Sequence, residues 1–394
     1  MPPSTNHRPE LDGLRALAVL LVIASHLPVP HLTGGWIGVD VFFVLSGYLI
    51  TSILVREFER TSTIALGRFY LRRVLRLYPA LITMFVVCAI WYQHFATWPP
   101  NFTVHVPFTS YLRTVGFGAF YLEDFVLGYT GNPHGSLGHT WSLALEEQFY
   151  LVWGPLLWLS LKRGWSVAWV SGTLMLASTA SLVWGSGSSP GLPLTYYRPD
   201  SRANELFLGC LLAVLLPRMQ ARLATTRGIS NFYSFVGLAS LIGVQFFSDH
   251  MTRTTLFPLE EVWAGLSAAI VIVGLTVGAE RSLVSRALST WPAVSIGRIS
   301  YGMYLWLIPI TVVLIPYYFF LWHWDFNWWL YSIISLATII AVASASYFLI
   351  EKRFLRLKRY FEVVPTSPDT EGRHVRSSAP DLQTDPRPVQ LPAG

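Results

Sequence analysis

Residues 10–30 read ELDGLRALAVLLVIASHLPVP, an apolar run that carries one arginine and one histidine. Its length is close to the ~20 residues needed to cross a hydrocarbon core as a helix. Arg15 and His26 stand eleven positions apart. At ~100° per residue that is about three turns with a remainder near 20°, so both fall on one helical face. At ~1.5 Å per residue they are roughly 16 Å apart along the axis, about half the hydrocarbon thickness. An ionisable side chain in a span costs a few kcal/mol and usually faces the bundle interior, where it has a function. The stripe is read with His26 as a reactive base and Arg15 as an anchor for an anionic ligand. A snorkelling arginine beside a hydrogen-bonded core histidine is the other reading.

The rest of the chain has the same character. Hydrophobic residues make up 53% and charged residues 13%, where a soluble domain carries roughly 25% charged. With repeated apolar runs near span length, the expected fold class is all-α: a polytopic transmembrane bundle of about ten spans with both termini cytoplasmic. The net charge of +6 is read as membrane topology and not as a nucleic-acid surface, because the basic residues cluster between the apolar runs. Cys88 and Cys210 sit in separate runs, so they define neither a disulfide framework nor a metal site. Residues 13–30 could pass for a signal peptide. Pro28 and Pro30 follow without a small-residue cleavage site, and a retained first span is expected.

In order, spans are expected near 13–30, 36–55, 77–97, 139–161, 165–184, 203–217, 229–247, 258–279, 297–321 and 328–350. The loop holding Arg56, Arg60, Arg68, Arg72, Arg73 and Arg76 is assigned to the cytoplasm. Segment 98–138 is aromatic but interrupted by Arg113, Glu123, Asp124, Gly and Pro. Treated as an external or re-entrant excursion, it leaves the later basic loops inside, and only Arg113, Arg198, Arg202 and Arg253 of 28 basic residues outside. The expected division is a membrane domain over 1–360 and a disordered cytoplasmic tail over 361–394, where Pro, Ser, Asp and Arg replace the apolar runs. No internal repeat points to a transporter built from two related halves.

The chemistry-bearing residues fall into two groups by depth. Arg15, Arg73 and Arg76 converge near the inner surface. The i, i+3 pair Arg73 and Arg76 shares a face, and arginine forks suit phosphate oxygens. Plain topological charge is the competing reading. The outer half holds His26, Asp40, His139, Ser142, Glu146, Glu147, Arg202 and Glu205. A histidine beside a carboxylate is a general-base pair, and adjacent acids in an apolar helix must be paired, hydrated or protonated. A structural network tying the spans together is the alternative. The histidines show no metal-ligand spacing.

Taken in order, these residues carry a resemblance. Glu10-Leu-Asp-Gly-Leu-Arg15 leads to His26, then Gly38-Val-Asp-Val-Phe-Phe-Val-Leu-Ser-Gly47 and Arg73-x-x-Arg76. Trp141-Ser-Leu-x-x-Glu-Glu-Gln-Phe-Tyr150 follows, then Ser201-Arg-x-x-Glu205 with Gly209, and Ser300-Tyr-Gly-Met-Tyr-Leu-Trp306. Over about residues 8–355 the series resembles the acyltransferase 3 family, integral-membrane O-acyltransferases acting on sugars, cell-envelope glycans and macrolides. Each motif is weak alone; the ordered set is specific. The chain departs from the family at Leu307, where relatives often place a histidine. With no GDS segment, it resembles single-module members lacking a fused hydrolase-like domain.

The resemblance implies a multi-pass plasma-membrane enzyme with no permanently bound cofactor and no metal. It implies acyl-CoA as cytosolic co-substrate and a glycan, glycolipid or macrolide hydroxyl as acceptor. Arg15, Arg73 and Arg76 are expected to hold the CoA, and His26 to serve as base with Glu146, Glu147 and Asp40. His139, Ser142, Arg202 and Glu205 are expected to line the acceptor site. The pantetheine arm is expected to run up beside the first span from the arginines to His26. A non-enzymatic carrier or flippase of a lipid-linked saccharide is the rival class.

Overall fold

A computed structural model of the chain describes residues 8–29, 33–95, 108–131, 137–186, 194–223, 226, 228–247, 257–277, 282–314 and 327–357. The expected tail at 361–394 lies outside them. Among the described residues the fold is all-α, with no strand.

The first helix, α1 (Pro9–Ser25), starts with proline at N1 and acids in its first turn, the arrangement that suits exposed N–H groups and the helix dipole. It ends earlier than the sequence suggested. Ser25 Oγ donates to the Val22 carbonyl at 2.8 Å, and His26 is the C-cap residue, with Pro28 just beyond. The following long helices are α2 (Ile37–Thr61) and α3 (Leu66–Phe95). Two short ones, α4 (Phe108–Ala119) and α5 (Glu123–Thr130), come next. The chain continues through α6 (Trp141–Arg163), α7 (Val167–Ser186), α8 (Pro199–Leu223), α9 (Ile229–Phe247) and α10 (Phe257–Thr276). After the short α11 (Leu283–Leu288), α12 (Trp291–Ile308) runs into a π-helical turn at Pro309–Leu314. Helix α13 (Trp328–Ser346) and a second π-turn at Tyr347–Glu351 lead to α14 (Lys352–Leu357).

Six of these helices are long and apolar enough to cross a membrane by themselves: those containing α2, α3, α7, α8, α10 and α13. The remaining expected spans correspond to α1, α6, α9 and α12. Helix α1 has 17 residues, and α6 carries Glu146 and Glu147 on its buried side together with Lys162 and Arg163 at its end. Among the described residues, segment 98–138 holds no helix long enough to span. Its helices have 12 and 8 residues, well below the ~20 required. The turn between them, at Tyr121, is pinned to α6 by Gln148, whose Nε2 donates to the Tyr121 carbonyl at 2.6 Å and to Asp124 at 2.9 Å. Gln148 lies seven residues into α6, roughly 10 Å below its outer end. Tyr121 adopts φ +54°, a left-handed conformation unusual for a side chain of that bulk.

Small residues let the central helices touch backbone to backbone, the packing mode available when lipid gives no hydrophobic drive. A Cβ on Gly47 of α2 would sit 1.9 Å from the Leu206 carbonyl of α8, and one on Gly209 would sit 2.2 Å from that of Val44. Helices α1 and α12 meet the same way at their inner ends, where a Cβ on Gly297 would lie 1.9 Å from the Asp12 carbonyl. These contacts fix the helices that carry the polar residues described next.

Candidate active site

A cavity of about 670 Å³ opens among α1, α2, α3, α6, α8 and α12. Arg15, Arg73 and Arg76 all line it, as do Glu146 and Glu147. The structure therefore brings together inner arginines and acids that the sequence placed at different depths. Arg15 pairs with Asp12 one turn below at 2.9 Å. Arg73 is held in a fork by Glu147, with Nη2 at 2.6 Å and Nε at 3.1 Å from the same oxygen. Its guanidinium lies 3.4 Å over the Tyr150 ring. Glu147 thus neutralises Arg73 and does not reach His26. Arg76 has no ion pair among the described residues and is exposed within the cavity. Arg15 and Arg73 each spend their charge on a carboxylate, which leaves Arg76 as the one of these three guanidinium groups open to an anion.

Glu146 accepts hydrogen bonds from Ser46 of α2 and from Tyr150 one turn below it. Neither donor was singled out in the sequence, although both stand inside the quoted motifs. Above them the cavity ends at Ser142 and Tyr304. The two hydroxyls are 2.6 Å apart, and Tyr304 also donates to the His139 carbonyl at 2.8 Å. This hydrogen-bonded layer corrects the expectation of an open path from the arginines to His26. His26 is not among the residues that line the cavity.

The two histidines are held in defined tautomers by backbone carbonyls, which can only accept. His26 Nδ1 is 2.8 Å from the Val22 carbonyl, so Nδ1 carries the proton and Nε2 presents its lone pair. The backbone does here what a carboxylate was expected to do. His139 Nε2 is 3.0 Å from the Leu305 carbonyl, which leaves Nδ1 as the buried acceptor, without a partner in the structure. His26 is solvent-accessible at the end of α1 and close enough to His139 to interact through charge. Leu307, the position where relatives often carry histidine, is fully buried among apolar side chains.

Asp40, Arg202 and Glu205 form a separate, sealed cluster. Their exposures are 0%, 0% and 1%, and none lines the cavity. Arg202 Nη2 meets Asp40 at 2.5 Å, while Nη1 meets Glu205 at 3.2 Å and also contacts Glu261 of α10. Aromatic rings surround the guanidinium, with Tyr196 at 5.1 Å and Phe43 at 5.7 Å. The three carboxylates have the spacing of a metal site, but Arg202 reaches all three and already supplies the positive charge. What the cluster does in the fold is tie α2, α8 and α10 together. Glu261 was missed by the sequence reading. Its signal was an acidic pair at the head of an apolar run, FPLEEVW, of the same kind that drew attention to Glu146 and Glu147.

The fold is an all-helical bundle of membrane-protein character with an arginine-lined cavity. The chain belongs to the acyltransferase 3 family, whose acyltransferase-domain model matches residues 8–348. It is 33% identical over 332 residues to the peptidoglycan O-acetyltransferase OatA of Listeria monocytogenes, covering 79% of this chain and 51% of the relative. It is 33% identical over 339 residues to the O-acetyltransferase OatA of Staphylococcus aureus, covering 80% and 52%. Against the putative peptidoglycan O-acetyltransferase YrhL of Bacillus subtilis it is 34% identical over 337 residues, covering 79% and 50%. The chain thus spans about half the length of these curated relatives. No solved structure matches it.

Proposed function

We propose that this protein is a membrane O-acyltransferase that moves a short acyl group, acetyl in the first instance, from acyl-CoA to a hydroxyl of a cell-envelope glycan. Peptidoglycan, the polymer named for the Listeria relative, is the leading acceptor. The observation that carries the reading is the stacking of parts: an inner cavity with an unpaired arginine, one hydrogen-bonded layer, then a histidine with a free Nε2.

In this reading the donor's phosphates sit against Arg76 and Arg15, and its pantetheine arm points up the cavity past Ser46 and Glu146. The thioester reaches the Ser142–Tyr304 layer, which must part for transfer. His26 Nε2 takes the proton of the acceptor hydroxyl as the oxygen attacks the thioester carbonyl. The tetrahedral intermediate collapses with loss of the CoA thiolate, which takes the proton back from the imidazolium, leaving an ester and a thiol. Arg73, held by Glu147, and Glu146, holding Ser46 and Tyr150, keep the cavity wall in shape for the arm.

The test is reconstitution in sealed vesicles with acetyl-CoA on the side of the inner mouth and a peptidoglycan fragment on the other. Equal amounts of free thiol and acetylated fragment are expected. No thiol release with any short-chain acyl-CoA would instead favour a carrier. The layer itself gives a second expectation. Tyr304→Phe removes the hydroxyl that bridges Ser142 and His139. A hydrogen bond worth ~1 kcal/mol holds a closed state by about fivefold, so acceptor-independent hydrolysis of the donor should rise by about that factor. A hydrolysis rate unchanged from wild type would remove the layer's gating role.

A further inference from the structure

The inner cavity carries a second set of arginines that the reading above does not use. Arg8 and Arg56 line the same cavity as Arg15 and Arg76. Arg8 stands one residue ahead of α1 and seven before Arg15, about 10 Å nearer the inner surface. Arg56 lies ten residues beyond Ser46 on α2, about 15 Å further in by the same rise. Two groupings result. Arg15, Arg73 and Arg76 line its deeper part, and Arg8 and Arg56 line it nearer the inner surface, by their places along α1, α2 and α3. Arg56 uses Nε on the Ser52 carbonyl at 2.8 Å. Neither Arg8 nor Arg56 makes an ion pair among the described residues, and both are exposed. Of the carboxylates lining the cavity, those nearest to them in sequence are Asp12, which pairs with Arg15, and Glu59.

We infer that Arg8 and Arg56 form a distinct anion subsite at the cavity mouth, so the donor is recognised by two phosphate groups held at different depths. The inference rests on the donor reading above. Coenzyme A thioesters have the required chemistry: a pyrophosphate on the pantetheine arm and a separate phosphomonoester on the ribose. The deep arginines take the first and the mouth arginines the second. Guanidinium forks suit a terminal phosphate, which offers three oxygens.

The experiment compares acetyl-CoA with 3′-dephospho-acetyl-CoA on the purified full chain, for wild type, Arg8→Gln, Arg56→Gln and the double variant. Arg222→Gln, an exposed position at the inner end of α8 outside the cavity, serves as the charge control. Wild type should show a KM about tenfold or more lower for the intact donor, the usual weight of a charge-assisted contact. The double variant should lose that preference by raising KM for intact donor alone, with kcat unchanged; each single variant should lose part of it. Arg222→Gln should keep the preference. If the double variant still prefers the intact donor, or wild type never did, the mouth subsite is wrong while the donor reading stands. Equal loss in the double variant and Arg222→Gln would mean general inner-surface charge, and would also overturn the subsite. Failure of wild type to use either thioester would sink the donor reading, and the subsite with it.

Discussion

His26→Ala is expected to lower acyl transfer by about 10²–10⁴-fold, the weight of a general base, without loosening the fold. The argument is geometric. His26 follows the last residue of α1 and spends Nδ1 on the Val22 carbonyl at 2.8 Å. A truncated side chain leaves that carbonyl accepting from Ser25 Oγ at 2.8 Å, so little stability is at stake. His26→Gln is the sharper control, because its amide can still reach a carbonyl but cannot cycle a proton at neutral pH. Both variants should bind donor with wild-type affinity, since His26 lies outside the cavity, and both should fail to release thiol in the presence of acceptor. Substantial turnover in His26→Ala would strip the residue of its catalytic role and turn attention to His139, whose buried Nδ1 has no hydrogen-bond partner among the described residues.

Arg202→Met should be the most destabilising single change in the outer half of the bundle. It removes the cation that three buried carboxylates share, and breaking a buried pair from one side costs about 3–5 kcal/mol. Asp40→Asn should cost far less, about 1 kcal/mol, because Glu205 and Glu261 still face the guanidinium. Cys88 and Cys210 are both buried, so a thiol-reactive dye reports unfolding in detergent directly. The ordering matters more than the sizes. If Asp40→Asn melts as early as Arg202→Met, the cluster is not organised around the arginine. If Arg202→Met melts like wild type but loses acceptor binding, the cluster belongs to the substrate site.

These predictions show what a sequence of this kind reveals. The helices were legible because each must present a long apolar surface to lipid, and the positions of Arg56 to Arg76 oriented them. The same parity argued against a span in 98–138, and the two helices described there are short, with 12 and 8 residues. The first helix ended sooner than expected, with His26 as its cap, although Pro28 was a signal for it. Pairings between helices were not legible. Arg73 and Glu147 are 74 positions apart, and nothing local says that the second of two adjacent glutamates turns to an arginine while the first turns to Ser46 and Tyr150. The role of Val22 was also hidden, because a backbone carbonyl leaves no mark in a sequence.

The backbone contacts of Gly47, Gly209 and Gly297 decide which parts of the molecule can yield. Helix α2 is clamped along its middle and carries Asp40, Ser46 and Arg56, so buried cluster, reaction chamber and mouth share one rigid spine. Helix α12 meets α1 backbone to backbone at Gly297, near its inner end, and its regular winding stops at Pro309. Tyr304 lies between that contact and that break. When the Ser142–Tyr304 pair parts, the interrupted helix α12 is therefore expected to give before the continuous α2 does.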